Sequence, residues 1–184
     1  GDISFEHTEE LFHPSASQNC EDERFLIAKR ILLEAIDHQE KILICGDYDA
    51  DGLCATSILV RTLRKLGANV GFYIPDRFNE GYGLIEETVV KAHEKGYTLF
   101  VTVDNGVSAH AALQKIQALN ARVLVLDHHE ITEEVSCDLL IHPTLLPEHF
   151  KDLCGSGLAL QLANHLIGFD PYNAVLGGIA TIGD

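Results

Sequence analysis

The chain has 184 residues, 46% of them hydrophobic and 22% charged, which fits one compact domain and excludes an intrinsically disordered chain. Its 28 acids against 13 bases leave a net charge of −15, and taken alone that argues against nucleic acid, because Lys and Arg carry phosphate binding. The other explanation for so many acids is a metal site, and only the motifs distinguish the two. No apolar run reaches the ~18–20 residues of a membrane span, and Gly1–Ser15 lacks the basic-then-apolar pattern of a signal peptide. The first residue is Gly and no Met occurs anywhere, so an excised domain is expected.

Residues 1–20 read as a lead-in, and the domain itself as 21–184. A helical pattern over Glu21–His38 is followed by the apolar run Lys41–Cys45 and a second helix over Leu53–Leu66. Then come the runs Val70–Ile74, Thr98–Val103, Arg122–Leu126 and Leu139–Ile141, with helices over Ile85–Lys95 and Ala109–Leu119 between them. Helices over Ser156–Leu166 and Tyr172–Ile182 close the chain. Gly67, Gly96 and Gly168 are the expected helix stops, Ser108 and Ser156 the expected N-caps. Arg61, Arg64 and Lys65 read as a solvated helix face. The strands are almost continuously apolar, as strands buried on both faces are. The spacing predicts an α/β fold: a doubly wound, mostly parallel sheet of about five strands with helices on both faces.

Ligands of such sheets bind beyond the carboxyl ends of the strands. After Lys41–Cys45 comes Gly46-Asp47-Tyr48-Asp49-Ala50-Asp51-Gly52. After Thr98–Val103 comes Asp104-Asn105-Gly106, and after Arg122–Leu126 comes Asp127-His128-His129. Each segment alone is an ordinary turn. Together they crowd carboxylates whose repulsion divalent cations would relieve. Oxygen donors with imidazole favour Mn²⁺ or Mg²⁺. An EF-hand is excluded, since its twelfth position falls on Ile58 and a strand precedes the loop. Arg77, on the loop after the second strand, has two readings: a bidentate clamp for a phosphate group, or an ion pair with Asp76 or Glu80. The five cysteines, Cys20, Cys45, Cys54, Cys137 and Cys154, form no Cys-x-x-Cys pair and read as buried reduced thiols of a cytoplasmic protein.

Asp127-His128-His129 resembles the signature of the DHH phosphoesterase superfamily. More narrowly, Gly46–Gly52, Val103–Gly106, Pro75–Leu84, Gly155–Leu160 and Thr181–Asp184 are similar to motifs of RecJ-type single-stranded-DNA exonucleases. The resemblance implies two metal ions held by Asp49, Asp51, Asp104, His128 and Asp184, with Asp104 bridging. It leaves Asp47, Asp127 and His129 as catalytic residues. Asp127 would orient the imidazoles, and His129 would face the scissile phosphate. Cys45 stands where many superfamily members carry a further ligand His, which argues against the small-substrate relatives. The second lobe and the oligonucleotide-binding module of RecJ-type proteins are expected to be missing from this chain.

The activity implied is two-metal phosphodiester hydrolysis, digesting single-stranded DNA 5′→3′ in repair and recombination. Single-stranded DNA is the expected partner of the full-length protein and single-strand-binding protein a second one, with no membrane. Two alternatives are a phosphodiesterase of short oligonucleotides or cyclic dinucleotides, and a catalytically dead scaffold. A positional argument divides the histidines: neighbours in an extended segment point opposite ways, so only one of them ligates a given ion.

Overall fold

In the computed structural model, which describes residues 19–76 and 83–183, strands and helices follow one another as the apolar runs predict. They are α1 (Glu23–Asp37), β1 (Lys41–Cys45), α2 (Ala50–Lys65), β2 (Asn69–Tyr73), α3 (Glu86–Glu94) and β3 (Tyr97–Val103). Next come α4 (His110–Ala118), β4 (Arg122–Leu126), β5 (Leu139–Ile141), α5 (Gly155–Ile167) and α6 (Pro171–Gly183). Every strand pair is parallel, in the order β2-β1-β3-β4-β5.

Side chains alternate across a strand, and here both sets are apolar. Ile42 and Ile44 of β1, Leu99, Val101 and Val103 of β3, and Leu124 and Leu126 of β4 share a core with α1, α2 and α5. Leu43, Cys45, Phe100, Val123 and Val125 share the opposite core with α3 and α4. A fully buried Leu, Ile or Phe contributes about 1.5–3 kcal/mol, so both faces of the sheet drive folding. The chain leaves β1 toward β2 through α2, then crosses back to β3 on the other side of β1. That reversal opens a crevice at the carboxyl ends of β1 and β3, the usual ligand position in this architecture.

Helix ends carry the differences from expectation. α2 starts at Ala50, ahead of the expected Leu53, because the Asp49 carboxylate accepts the Gly52 N–H (2.9 Å) and caps it. Asp51 therefore sits in a first helical turn. Ser108 and Ser156 are not N-caps: those positions are Ala109 and Cys154, neither making a side-chain cap bond. Gly67, Gly96 and Gly168 do end their helices with positive φ.

The supposed solvated face on α2 is also corrected. Arg61 Nη1 lies 2.7 Å from Asp170 Oδ1, and Lys65 pairs with the other carboxylate oxygen. Asp170 accepts the N–H groups of Tyr172 (3.0 Å) and Asn173 (3.1 Å) at the start of α6. Charge pairing and helix capping thus bolt α6 to α2. All five cysteines are free; four are buried and Cys137 is half-buried. Among the described residues, no helix is long and apolar enough to cross a membrane.

Candidate active site

Three strand ends build the site. Past β1, Asp47 is fully buried and its Oδ1 accepts the Tyr48 N–H at 2.8 Å. Gly52 passes so close that a Cβ there would stand 2.7 Å from the Asp47 Cβ, and any side chain would push the acid out of place. Asp49 is exposed at the start of α2.

Past β3, Asp104 takes a left-handed conformation, φ 59°, which costs a non-glycine residue about 1–2 kcal/mol. Its N–H still bonds Leu126 O (2.9 Å), so the turn begins on the last rung of the β3–β4 ladder. Asn105 Nδ2 donates to Cys45 O (3.0 Å) and Val103 O (2.9 Å), tying the ends of β1 and β3 together. Asp104 is 1% exposed, and its Oδ2 is buried with no hydrogen-bond partner among the described residues. Burial, reinforced by repulsion from Asp51 and Asp49 and opposed by the His128 hydrogen bond, pushes its carboxyl up to about 7.

Past β4, the buried Asp127 organises the loop around itself. Its Oδ2 accepts the Val107 N–H (2.9 Å); its Oδ1 accepts the His128 N–H (2.8 Å) and holds His129 Nδ1 (2.7 Å). Burial works against the charge on Asp127, but these bonds outweigh it and hold the carboxyl below its ordinary value. In return, the bond that the His129 ring donates to Asp127 raises His129 to about 9. His128 takes a different partner, its Nε2 3.0 Å from Asp104 Oδ1, and that bond raises its pKa as well.

Asp47, Asp49 and Asp104 thus form one group able to hold a cation, and Asp104, His128 and His129 a second. Within each group the donor atoms lie inside 4.8 Å of one another, and Asp104 belongs to both. The donor set fits Mn²⁺ or Mg²⁺: carboxylate oxygens and imidazole with no thiolate, around a buried oxygen lacking a partner among the described residues.

Asp51 is in neither group, contrary to its expected place as a ligand. Its Oδ2 accepts the Gly155 N–H (2.6 Å) and its Oδ1 the Ser156 N–H (2.9 Å). Burial opposes its ionisation, yet the Ser156 side chain and N–H, together with Cys154 and the Gly155 N–H, prevail and its pKa is lowered. It caps α5 from α2 and holds that helix against the site. Gly155 makes the approach possible, since a Cβ there would stand 2.5 Å from the Asp104 Cβ. Sequence reasoning missed this role, although the glycine-containing start of α5 was a visible signal.

Other expected roles fare unevenly. Asp127 orients His129 through a ring bond, and touches His128 only at the backbone. The two imidazoles lie side by side, centroids 4.7 Å apart, so the opposite-facing geometry fails although their partners do differ. Cys45 faces the core shared with α3 and α4, and burial pushes its thiol well above the usual range. Arg77 and Asp184 lie outside the described residues.

The comparisons with known proteins fit this geometry. The family model described as "DHH family, N-terminal domain" matches residues 41–181. The single-stranded-DNA-specific exonuclease RecJ of Bacillus subtilis is 43% identical over 155 residues, covering 82% of this chain and 20% of the relative. The chain therefore spans about a fifth of that protein's length. A crystal structure of exonuclease RecJ bound to manganese superposes with TM-score 0.78 at 38% identity, covering 90% of this chain and 43% of that one. RecJ from Thermus thermophilus in complex with Mn²⁺ gives a TM-score of 0.75 at 34% identity, covering 94% and 25%. A model match spanning all five strands, with Asp127-His128-His129 within it, places this chain in the DHH family.

Proposed function

We propose that this domain is the metal-bearing core of an exonuclease that hydrolyses single-stranded DNA 5′→3′ in repair and recombination. The observation that carries the reading is Asp104: a buried carboxylate shared by two ligand groups, with one oxygen lacking a partner among the described residues. Relatives matching over most of the chain are single-stranded-DNA-specific exonucleases, and RecJ structures hold Mn²⁺ or Mg²⁺.

Asp47, Asp49 and Asp104 would hold one ion, and Asp104 with His128 a second, which Asp184 completes on the family resemblance. Asp47 here takes the ligand place first expected of Asp51. Bound, such ions supply Lewis-acid stabilisation of the charge developing at phosphorus and lower the pKa of water. The chain's own residues do the rest. Asp127 fixes His129 through Nδ1, and that bond favours the protonated ring. His129 then donates a charge-assisted hydrogen bond to a non-bridging phosphate oxygen, strongest as charge accumulates in the transition state. Asp51 keeps α5 closed over the shared carboxylate.

A charge of −15 does not suit sustained strand binding, and two of the bases on α2 are spent on Asp170. In this proposal the longer protein supplies the DNA-binding surface, and Arg77 clamps a phosphate at the strand end. Single-strand-binding protein as a partner and a cytoplasmic location belong to the same proposal.

The test is digestion by the longer protein of 5′-labelled single-stranded and duplex DNA, with Mn²⁺ or with chelator. Metal-dependent release of the 5′ label as a short product, from single strands alone, is expected, and a ladder of shortened labelled strands would reverse the proposed polarity. Cleavage confined to dinucleotides or cyclic dinucleotides would move the activity to the phosphodiesterase alternative, and no metal-dependent hydrolysis would make the domain a scaffold.

A further inference from the structure

The loop bearing His128 and His129 leaves β4 next to the end of β5, and the residue that follows β5 is His142. Its imidazole is 3% exposed, and both ring nitrogens are engaged. Thr144 N–H lies 3.3 Å from Nδ1, with Thr144 Oγ1 at 2.8 Å. A backbone N–H only donates, so Nδ1 is an acceptor and the ring proton belongs on Nε2. Nε2 is 2.9 Å from the carbonyl oxygen of His129, which only accepts. The two neighbours together specify one neutral tautomer.

We infer that His142 is a positioning residue for His129. Asp127 Oδ1 holds the His129 ring (2.7 Å) and its N–H (3.2 Å), and His142 holds its carbonyl. The Asp127 N–H bonds Ile141 O at 3.2 Å, fastening the loop's first residue to the same strand end. His129 is thus gripped at ring, amide and carbonyl, although its side chain remains 43% exposed. The His142 contact ties the segment just beyond His129 to the end of β5. Without it, Asp127 stays anchored by Val107 and Ile141, but the His129 backbone is released on its carbonyl side, and the donor loses its aim while keeping its charge. Misplacement on that scale costs a reacting group ~10–10²-fold in rate.

The inference rests on His129 as the residue that faces phosphate, so the experiment has two arms. In the longer protein with Mn²⁺ and single-stranded DNA, His142→Ala should lower kcat ~10–10²-fold, with KM and metal stoichiometry unchanged. His142→Gln, whose side-chain amide can donate to the same carbonyl, should recover most of that loss. In the same protein, amide hydrogen exchange at residues 127–130 should speed up in His142→Ala and return toward the wild-type rate in His142→Gln. Unchanged exchange in His142→Ala overturns the inference. Equal kcat losses and equal melting-temperature losses in both variants overturn it too, since packing alone would then be at stake. If the wild type hydrolyses nothing, the proposed function fails, and the exchange arm still decides whether His142 orders the loop.

Discussion

Two buried carboxylates near opposite ends of α2 live under opposite rules. Asp170, at the junction of α2 and α6, meets Arg61, Lys65 and two backbone N–H groups, so every part of its charge is answered. Those partners hold its carboxyl far below the ordinary range, the Lys65 bond foremost. Asp104, at the crevice, has His128 on one oxygen and no partner among the described residues on the other. Asp51 and Asp49 add only repulsion. The protein pairs buried charge where it needs a joint and leaves it unpaired where it needs a cation. A metal centre, in this light, is a place where the ordinary pairing of buried ions has been withheld.

The hardest blow to that contrast is Asp104→Ala. Mn²⁺ should raise the melting temperature of the wild type, because a ligand of the native state stabilises it. In the variant the rise should vanish, since both groups lose their shared member. Calorimetry showing undiminished Mn²⁺ binding would remove the basis for calling Asp104 a bridge. Next in size is His129→Ala in the longer protein, which should cut kcat ~10²–10³-fold, the scale for a lost transition-state donor, with metal stoichiometry kept. Loss of a metal in His129→Ala but not in His128→Ala would mean that the two rings have exchanged roles.

Much of this was legible because it is local. The apolar runs fix the strands, and acids directly after them must fall on one edge of a parallel sheet, which located Asp47, Asp49, Asp104 and Asp127. What stayed hidden depends on partners far along the chain. Gly155 and Ser156 lie 104 and 105 residues from Asp51, so nothing around Asp51 revealed that its oxygens would cap α5. Arg61 and Asp170 are 109 residues apart, and a basic helix turn looks solvated until α6 arrives. The histidine pair misled for a different reason: the strand ends at Leu126, and the alternation rule does not extend into a loop wrapped round Asp127.

Asp51→Asn sharpens the contrast from the joint's side. An amide keeps one acceptor oxygen for two N–H donors and turns an NH₂ toward the other. Stability should fall by about 1–3 kcal/mol, the cost of an unsatisfied buried polar group, measured by urea denaturation. Asp47→Asn, by contrast, should weaken Mn²⁺ binding more than it lowers stability. If Asp51→Asn abolishes metal binding while leaving the metal-free protein as stable as before, Asp51 is a ligand after all.

The most gradual effect is the pH dependence of the metal-free protein, and its sign follows from the half-paired carboxyl of Asp104. Asp104 binds its proton more tightly folded than unfolded, with a folded value of about 7 against an ordinary value near 3.8. Between those values the unfolded chain has released the proton while the native state still holds it, so stability falls as pH rises. One such group costs about 1.4 kcal/mol per pH unit, or ~3–6 °C per unit for a chain of this length. His128, raised by its bond to Asp104, and His129, raised to about 9, extend the decline above neutrality. Asp51 and Asp127 are lowered; their contribution is present above their unfolded values near 3.8 and is lost only on acidification. The metal-free melting temperature should therefore decline from about pH 5 toward about pH 9. With saturating Mn²⁺ the trend should reverse over the lower part of that range, because ligation requires the deprotonated carboxyl and protons then compete with the metal. A metal-free melting temperature that climbs steadily from about pH 5 to about pH 8 would show that Asp104 is paired in solution as completely as Asp170.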